Sequence, residues 1–239
     1  MNRIVTMVLK NLFYLPGALF RLWRYARHPE RYPEEEMYSH IQSILKRAIR
    51  TGRITLTVTG LENIPREGGF MFYGNHQGLF DPLAVLATCP RPMGAVLKKE
   101  LYGIPGIHQV ALCTQSYPMD REDVRQSLTV IQQVTEQVKA DRPYLIFPEG
   151  TRSRQGNEML PFHGGSFRCA TKSRCPIVPV AFVDSFKVLD QKGSAPVTAQ
   201  VHYLPPIFYE EYKDLNTTAL AALVKGRIAE KIAAQTAQA

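Results

Sequence analysis

Residues 70–88 read FMFYGNHQGLFDPLAVLAT. The first four residues of this stretch are apolar and predict a buried strand, and the last seven predict the first turns of a helix. Asp81 followed by Pro82 matches the preference for an acidic N-cap before a proline at the first helical position. His76 is therefore expected on a strand-to-helix loop, and in α/β proteins the loop after a strand is a common place for a reacting group.

His76 and Asp81 lie five positions apart, across a tight loop that contains Gly78. A carboxylate at that spacing can orient an imidazole, which then accepts a proton from a hydroxyl group. The alternative is a surface histidine beside a helix cap, and the spacing alone leaves both interpretations open.

A second stretch, residues 144–154, reads YLIFPEGTRSR. Its apolar start predicts a strand, and the remainder predicts a polar loop. Gly150 would let a ligand approach the backbone closely, and the planar guanidinium of Arg152 suits a phosphate or carboxylate. A polar turn with surface arginines is the alternative interpretation.

Four blocks of the chain resemble, in order, the motifs of the glycerolipid acyltransferases. The blocks are NHQGLFD at 75–81, YPMDR at 117–121, FPEGTR at 147–152 and IVPVA at 177–181. The first is similar to the His-x4-Asp motif of that family, and the third to its Phe-Pro-Glu-Gly-Thr block. Because four motifs occur in the family's order, the similarity is not expected by chance.

The resemblance implies an α/β fold with a mixed, mostly parallel sheet flanked by helices, the glycerol-3-phosphate acyltransferase-like fold. It also implies transfer of an acyl chain from a thioester of coenzyme A or acyl carrier protein to the sn-2 hydroxyl of lysophosphatidic acid, giving phosphatidic acid. His76 would be the general base and Asp81 would orient it, with no cofactor beyond the acyl donor. Glycerol-3-phosphate and other lysophospholipids are the alternative acceptors.

The same resemblance suggests which residues bind the acceptor. Arg121, Arg152 and the backbone of Gly150 and Thr151 would hold its phosphate, and Glu149 would fix polar groups around the loop. Lys99, chosen over its neighbour Lys98, would be a further cationic contact.

The positive charge of the chain is concentrated at its N-terminus. The net charge is +8, and residues 1–53 hold ten basic and four acidic residues, whereas the remaining 186 residues carry only +2. A basic segment of this kind indicates an anionic partner, either nucleic acid or a membrane surface.

Apolar and aromatic residues in the same segment favour the membrane. The longest uncharged stretch, residues 11–20, is shorter than the roughly 20 residues that span a bilayer. The pattern therefore predicts an interfacial helix, or a helix pair broken at Pro16-Gly17, with Trp23 and Tyr25 at headgroup depth. A signal peptide and a core helix are the alternatives.

We accordingly divide the chain into a membrane-association segment, residues 1–53, and an α/β acyltransferase domain, residues 54–239. We expect it on the cytoplasmic face of the cell membrane as a monotopic or peripheral protein, with its four cysteines reduced. No His, Cys or carboxylate spacing suggests a metal site.

Two hypotheses from other classes remain. A non-catalytic membrane-binding relative would have no use for His76 and Asp81 together. A nucleic-acid-binding protein would use the basic segment but would leave the loop at 149–152 unexplained.

Overall fold

The computed structural model describes residues 2–237, which form a seven-stranded sheet flanked by helices. The strand order is β1-β7-β6-β2-β5-β3-β4. Strands β2 to β6 run parallel, β7 runs antiparallel to β6, and β1 runs parallel to β7. The predicted mixed, mostly parallel sheet is therefore confirmed. The strands are β1 (Ile54–Thr59), β2 (Met71–Gly74), β3 (Gly94–Lys98), β4 (Tyr117–Met119), β5 (Tyr144–Ile146), β6 (Ile177–Val183) and β7 (Val197–Tyr203).

Helices cover both faces of this sheet. Those of the described residues are α1 (Arg3–Lys10), α2 (Leu15–Arg27), α3 (Glu34–Thr51), α4 (Phe80–Thr88), α5 (Lys99–Tyr102), α6 (Ile107–Cys113), α7 (Val124–Lys139), α8 (Arg168–Ser173), α9 (Phe186–Leu189), α10 (Tyr209–Tyr212) and α11 (Thr217–Thr236). Helix α11 begins after Asn216, whose side chain accepts a hydrogen bond from the Ala219 N–H.

The central strand β2 shows why the sheet is buried on both sides. Met71 and Tyr73 pack into a core with α7, α8 and α11, whereas Phe72 packs into a second core with α3 and α4. Successive side chains of a strand point to opposite faces, so a continuous apolar run fits a strand that is covered on both. Burial of each such side chain contributes roughly 1.5–3 kcal/mol.

One local prediction is wrong. Asp81 is not the N-cap of α4, because the helix begins at Phe80 after Leu79 and the Asp81 carboxylate turns back to the preceding loop.

Pro118 lies within β4. Among the strands of residues 2–237, β4 is the last in the sheet order and pairs with β3, and an edge strand tolerates a residue without an N–H.

The N-terminal helices share their cores with the rest of the molecule. Leu22, Tyr25 and Ile41 pack with Cys113 of α6, and Tyr38 packs with Ile54 of β1. The predicted position of Tyr25 at headgroup depth is therefore wrong, because its side chain is buried, whereas Trp23 is exposed. No helix in residues 2–237 has the length and hydropathy needed to cross a membrane.

The break between α1 and α2 lies at residues 11–14, before the predicted Pro16-Gly17. Pro16 instead occupies the first turn of α2, where no intrahelical N–H bond is lost.

The orientation of α1 reverses the usual rule of burial. Arg3, Thr6 and the following Asn11 are buried, and Arg3 donates to the carbonyls of Val188 (2.8 Å) and Gly52 (2.6 Å). Large apolar side chains of α1, α2 and the turn between them are exposed instead. They are Ile4, Val5, Val8, Leu9, Leu12, Phe13, Leu19, Phe20 and Trp23.

Candidate active site

The predicted catalytic residues lie at the carboxyl ends of β2, β5 and β6, which are neighbours in the sheet. Since these strands are parallel, the loops that follow them meet at one edge. The loop after β2 carries His76, the loop after β5 carries Glu149 to Arg152, and the loop after β6 carries Ser185. Asn75 joins two of these strands, because its amide donates to the Phe182 carbonyl (3.0 Å) and accepts from the Phe182 N–H (2.8 Å).

Asp81 is fully buried and holds the imidazole of His76. Its Oδ2 accepts from His76 Nδ1 at 2.7 Å and from the backbone N–H groups of Gln77 (2.7 Å) and Gly78 (2.9 Å). Its Oδ1 accepts a hydrogen bond from the Ser185 hydroxyl. Both carboxylate oxygens are therefore fixed, and so is the ring that they orient.

The His76 ring is also held by packing. It stacks on Phe147 with a centroid distance of 4.1 Å and an interplanar angle of 18°. Its side chain remains 15% exposed, and its Nε2 has no hydrogen-bond partner among residues 2–237. With Nδ1 engaged by a carboxylate and Nε2 open, the ring has the arrangement of a general base.

Glu149 joins the loops after β2 and β5. Its Oε1 accepts from the His76 N–H at 2.7 Å, and its Oε2 accepts from the Leu160 N–H at 3.0 Å. Burial raises the pKa of this carboxyl, and the two N–H groups partly oppose that effect. The family resemblance groups Glu149 with the acceptor-binding residues and predicts that it fixes polar groups around the loop; it is only 2% exposed, and its carboxylate binds loop N–H groups.

The rest of the FPEGTR block follows Glu149 in the loop after β5. Gly150 has a φ of +70°, a left-handed conformation that side chains rarely adopt. Thr151 is exposed. The Arg152 guanidinium is paired with Asp190, whose other carboxylate oxygen accepts from the Leu79 N–H at 2.9 Å.

Lys99 and Arg121 are placed apart from this group. They follow β3 and β4, on the same edge of the sheet but beyond β5. Both side chains are exposed, and Lys99 Nζ lies 3.3 Å from Asp120 Oδ2. The structure thus brings His76, Asp81 and the block from Glu149 to Arg152 into one cluster, whereas, within residues 2–237, Lys99 and Arg121 form no hydrogen bond or ion pair with it.

A family model named Acyltransferase matches residues 55–183, more than half of the chain. The match includes the loop after β2, which carries His76, and the loop after β5, which carries Glu149 to Arg152. The chain belongs to the acyltransferase family.

Curated relatives of this acyltransferase include two bacterial proteins named 1-acyl-sn-glycerol-3-phosphate acyltransferase. The one from Helicobacter pylori is 31% identical over 172 residues, which are 67% of this chain and 73% of the relative. The one from Escherichia coli is 30% identical over 167 residues, which are 70% of this chain and 68% of the relative.

Among solved structures, the fold is similar to the crystal structure of the 1-acyl-sn-glycerophosphate (LPA) acyltransferase from Thermotoga maritima. The TM-score is 0.79, and the match covers 96% of this chain and 92% of that one at 22% sequence identity. The similarity extends the shared fold beyond the family model to the N-terminal helices and the closing helix.

Sequence reasoning missed three polar residues of the acyltransferase site: Gln77, Ser185 and Asp190. Gln77 Oε1 accepts a hydrogen bond from the backbone N–H of Ser185 at 3.0 Å. Their position in the sequence could have indicated Ser185 and Asp190, because both residues follow the apolar strand at 177–183 just as His76 follows β2. Within residues 2–237, no group of three or more His, Cys, Asp or Glu residues is arranged to hold a metal ion.

Proposed function

We propose that this acyltransferase moves an acyl chain from a thioester to the sn-2 hydroxyl of lysophosphatidic acid, giving phosphatidic acid for phospholipid biosynthesis. The observation that carries the proposal is the imidazole of His76, fixed at Nδ1 by Asp81 and open at Nε2. The names of the relatives support the choice of acceptor. The donor is a thioester of coenzyme A or of acyl carrier protein, and the chemistry at His76 is the same for both.

The reaction transfers the acyl group directly from the thioester sulfur to the hydroxyl oxygen of the acceptor. The proton of the acceptor hydroxyl passes to His76 Nε2 as its oxygen attacks the thioester carbonyl, and Asp81 stabilises the imidazolium that forms. The tetrahedral adduct then collapses, the carbon–sulfur bond breaks, and the imidazolium returns the proton to the departing thiolate. These steps require no cofactor and no covalent enzyme intermediate.

Cationic and backbone groups at this edge of the sheet would hold the acceptor phosphate. Among the cationic candidates, Arg152 lies closest to the His76 loop, because its partner Asp190 also binds that loop. The left-handed Gly150 lets a phosphate approach the backbone of Gly150 and Thr151. Lys99 and Arg121, which are exposed after β3 and β4, would complete the phosphate site from the other side.

The exposed apolar face of α1 and α2 supports attachment to a lipid surface. An apolar face turned outward is stabilised by an apolar partner, and the +6 net charge of residues 1–53 adds attraction to anionic headgroups. We propose that these two helices seat the protein on the cytoplasmic face of the cell membrane, without spanning it. The lysophospholipid and its product both reside there.

The activity test measures thiol release from acyl-CoA, and separately from acyl-acyl carrier protein, by the purified protein in detergent micelles. The acceptors are lysophosphatidate, glycerol-3-phosphate and lysophosphatidylcholine, each with wild type and His76→Ala. We expect release that depends on lysophosphatidate and falls by about 10²-fold or more in the variant, the usual size of a general-base contribution. Near wild-type turnover in His76→Ala would exclude its role, and release with another acceptor only would reassign the substrate.

The membrane test measures flotation with vesicles of anionic and of zwitterionic lipid. Phe13 and Phe20 are 99% and 61% exposed, so changing both to glutamate removes apolar area from the outward face without disturbing a core. We expect binding to anionic vesicles to fall about tenfold or more, since burial of a Phe side chain contributes roughly 1.5–3 kcal/mol.

Phe208→Glu is the matched control, because Phe208 is 54% exposed outside the N-terminal helices. Equal loss of binding in the control would contradict the assignment of the lipid-binding face. Wild-type binding to DNA but not to vesicles would favour the nucleic-acid hypothesis instead.

A further inference from the structure

The residues after β6, numbers 184–190, contact both catalytic loops, and we call them the post-β6 segment. At its start, Ser185 bonds to Asp81 and Gln77. At its end, Asp190 bonds to the loops after β2 and after β5 at once. The family motifs that the sequence carries do not include this segment.

Asp190 divides its two carboxylate oxygens between these loops. Oδ2 accepts from the N–H of Leu79, in the loop between His76 and Asp81, at 2.9 Å. Oδ1 is paired with Nη1 of Arg152. The carboxylate also lies against Gly78, where an added β-carbon would stand only 2.4 Å from Asp190 Oδ2. This close fit leaves the carboxylate little freedom to move without the loop that it touches.

We propose that Asp190 is a positioning residue that aims the Arg152 guanidinium and fixes the loop between His76 and Asp81. The proposal rests on the function proposed above, since the group that Arg152 receives is the acceptor phosphate. A guanidinium has five N–H donors, so one ion pair with Asp190 leaves donors for a phosphate while removing the free rotation of the side chain. The acceptor and the base are thereby aligned through a single carboxylate.

The post-β6 segment is itself held firmly, as a positioning element must be. Val188 is fully buried in the core with α3 and α4, and Ser185 is fully buried against Asp81. The Val188 carbonyl accepts from Arg3 of α1, which also binds the Gly52 carbonyl. Asp190 therefore follows a segment that is held by core packing on one side and by Arg3 of α1 on the other.

An ordinary surface ion pair is the competing explanation. Exposed pairs contribute little, and neighbouring Lys187 and Asp184 form such a pair at 2.8 Å. Asp190 differs in two respects: its partner Arg152 is 25% exposed whereas Lys187 is 41% exposed, and its second oxygen accepts from a backbone N–H of the loop after β2. The Lys187–Asp184 pair supplies the matched control on the same segment.

The kinetic test uses the full chain with Asp190→Asn, Asp190→Ala, Lys187→Ala and Arg152→Ala. Asparagine keeps an acceptor for the Leu79 N–H but loses the charge opposite Arg152, so we expect about a tenfold rise in KM for lysophosphatidate with kcat retained. Alanine removes both bonds and should lower kcat as well. Lys187→Ala should leave both constants unchanged, and Asp190→Asn should add no further rise in KM to Arg152→Ala.

Hydrogen exchange in the same variants separates this proposal from the proposed function. In Asp190→Ala we expect faster exchange in peptides covering residues 75–82 and 148–155, and in Lys187→Ala no change there. Unchanged exchange in Asp190→Ala, or an unchanged KM in Asp190→Asn of an active enzyme, would overturn the positioning role. If none of the three acceptors supports thiol release by the wild type, the proposed function fails. The exchange result still decides whether Asp190 holds the two loops.

Discussion

Two histidines, His76 after β2 and His202 on β7, occupy opposite electrostatic environments. His76 has a carboxylate on Nδ1 and an open Nε2. His202 is 1% exposed and has neutral partners on both nitrogens, Thr59 Oγ1 at 2.7 Å and Gln200 Oε1 at 3.0 Å. Burial, with a smaller contribution from Lys231, lowers the pKa of His202 from 6.5 to about 4.

The difference shows which of the two histidines is arranged to act as a base. A general base must gain a proton at low cost and must reach the group that supplies it. Asp81 meets the first requirement for His76, and the open Nε2 meets the second. His202 meets neither, since a positive charge on its ring would be buried without a counter-ion. The comparison can be tested by changing the partners of each ring.

Removal of the Asp81 charge should have the largest effect. Asp81→Asn keeps the size of the side chain but no longer stabilises the imidazolium, so we expect turnover to fall roughly 10²- to 10⁴-fold. Thiol release measures the loss, and circular dichroism checks that the fold is retained. His202→Gln is the control and should keep near wild-type turnover; an equal loss in both variants would erase the distinction between the two histidines.

Acidification should destabilise the protein through His202. The unfolded chain binds a proton at this residue below about pH 6.5, whereas the folded protein resists protonation down to about pH 4. Stability is therefore lost as the pH falls between these values, by roughly 3 kcal/mol at 1.36 kcal/mol for each pKa unit.

Urea unfolding from pH 7.5 to 4 measures this loss in wild type and in His202→Gln. Buried carboxylates contribute to both curves, so the difference between the curves isolates His202. Parallel curves would mean that its ring titrates alike in the folded and unfolded states.

Loss of the Ser185 hydroxyl should have a smaller effect on His76. Ser185→Ala removes the donor to Asp81 Oδ1 but leaves the three donors on Oδ2. We expect turnover to fall about tenfold, the value of one hydrogen bond to a charged group. Ser185→Thr retains a hydroxyl and should recover part of the loss. A variant that changes KM for lysophosphatidate but leaves kcat unchanged would contradict a role through Asp81.

Local chemistry explains which parts of the site were predictable. The His76–Asp81 contact joins residues five positions apart, so the loop between a strand and a helix suffices to form it. The same local reasoning failed for the helix cap, because the Asp81 carboxylate is engaged by the imidazole and by two N–H groups of the loop. The free energy gained from an N-cap is smaller than that gained from several charge-assisted hydrogen bonds.

Local sequence patterns predicted the secondary structure around the site and the proximity of His76 to Asp81. The apolar run at 70–73 indicated a buried strand, and the apolar residues Leu220, Val224 and Ile228 lie on one buried stripe of α11. The apolar and aromatic residues of the N-terminal segment also predicted an interfacial helix or helix pair. Each of these properties depends on residues a few positions apart, which is the range over which sequence patterns act.

Long-range packing, in contrast, selects the distant residues that complete the site and the face of α1 that is buried. Glu149, Ser185 and Asp190 reach the catalytic loop across sequence separations of 73, 104 and 111 residues. Their meeting depends on β5 and β6 lying on either side of β2, a strand order that no local pattern encodes. For α1 the deciding contacts are those of Arg3 with the carbonyls of Val188 and Gly52, because a buried guanidinium needs acceptors that only the folded chain supplies.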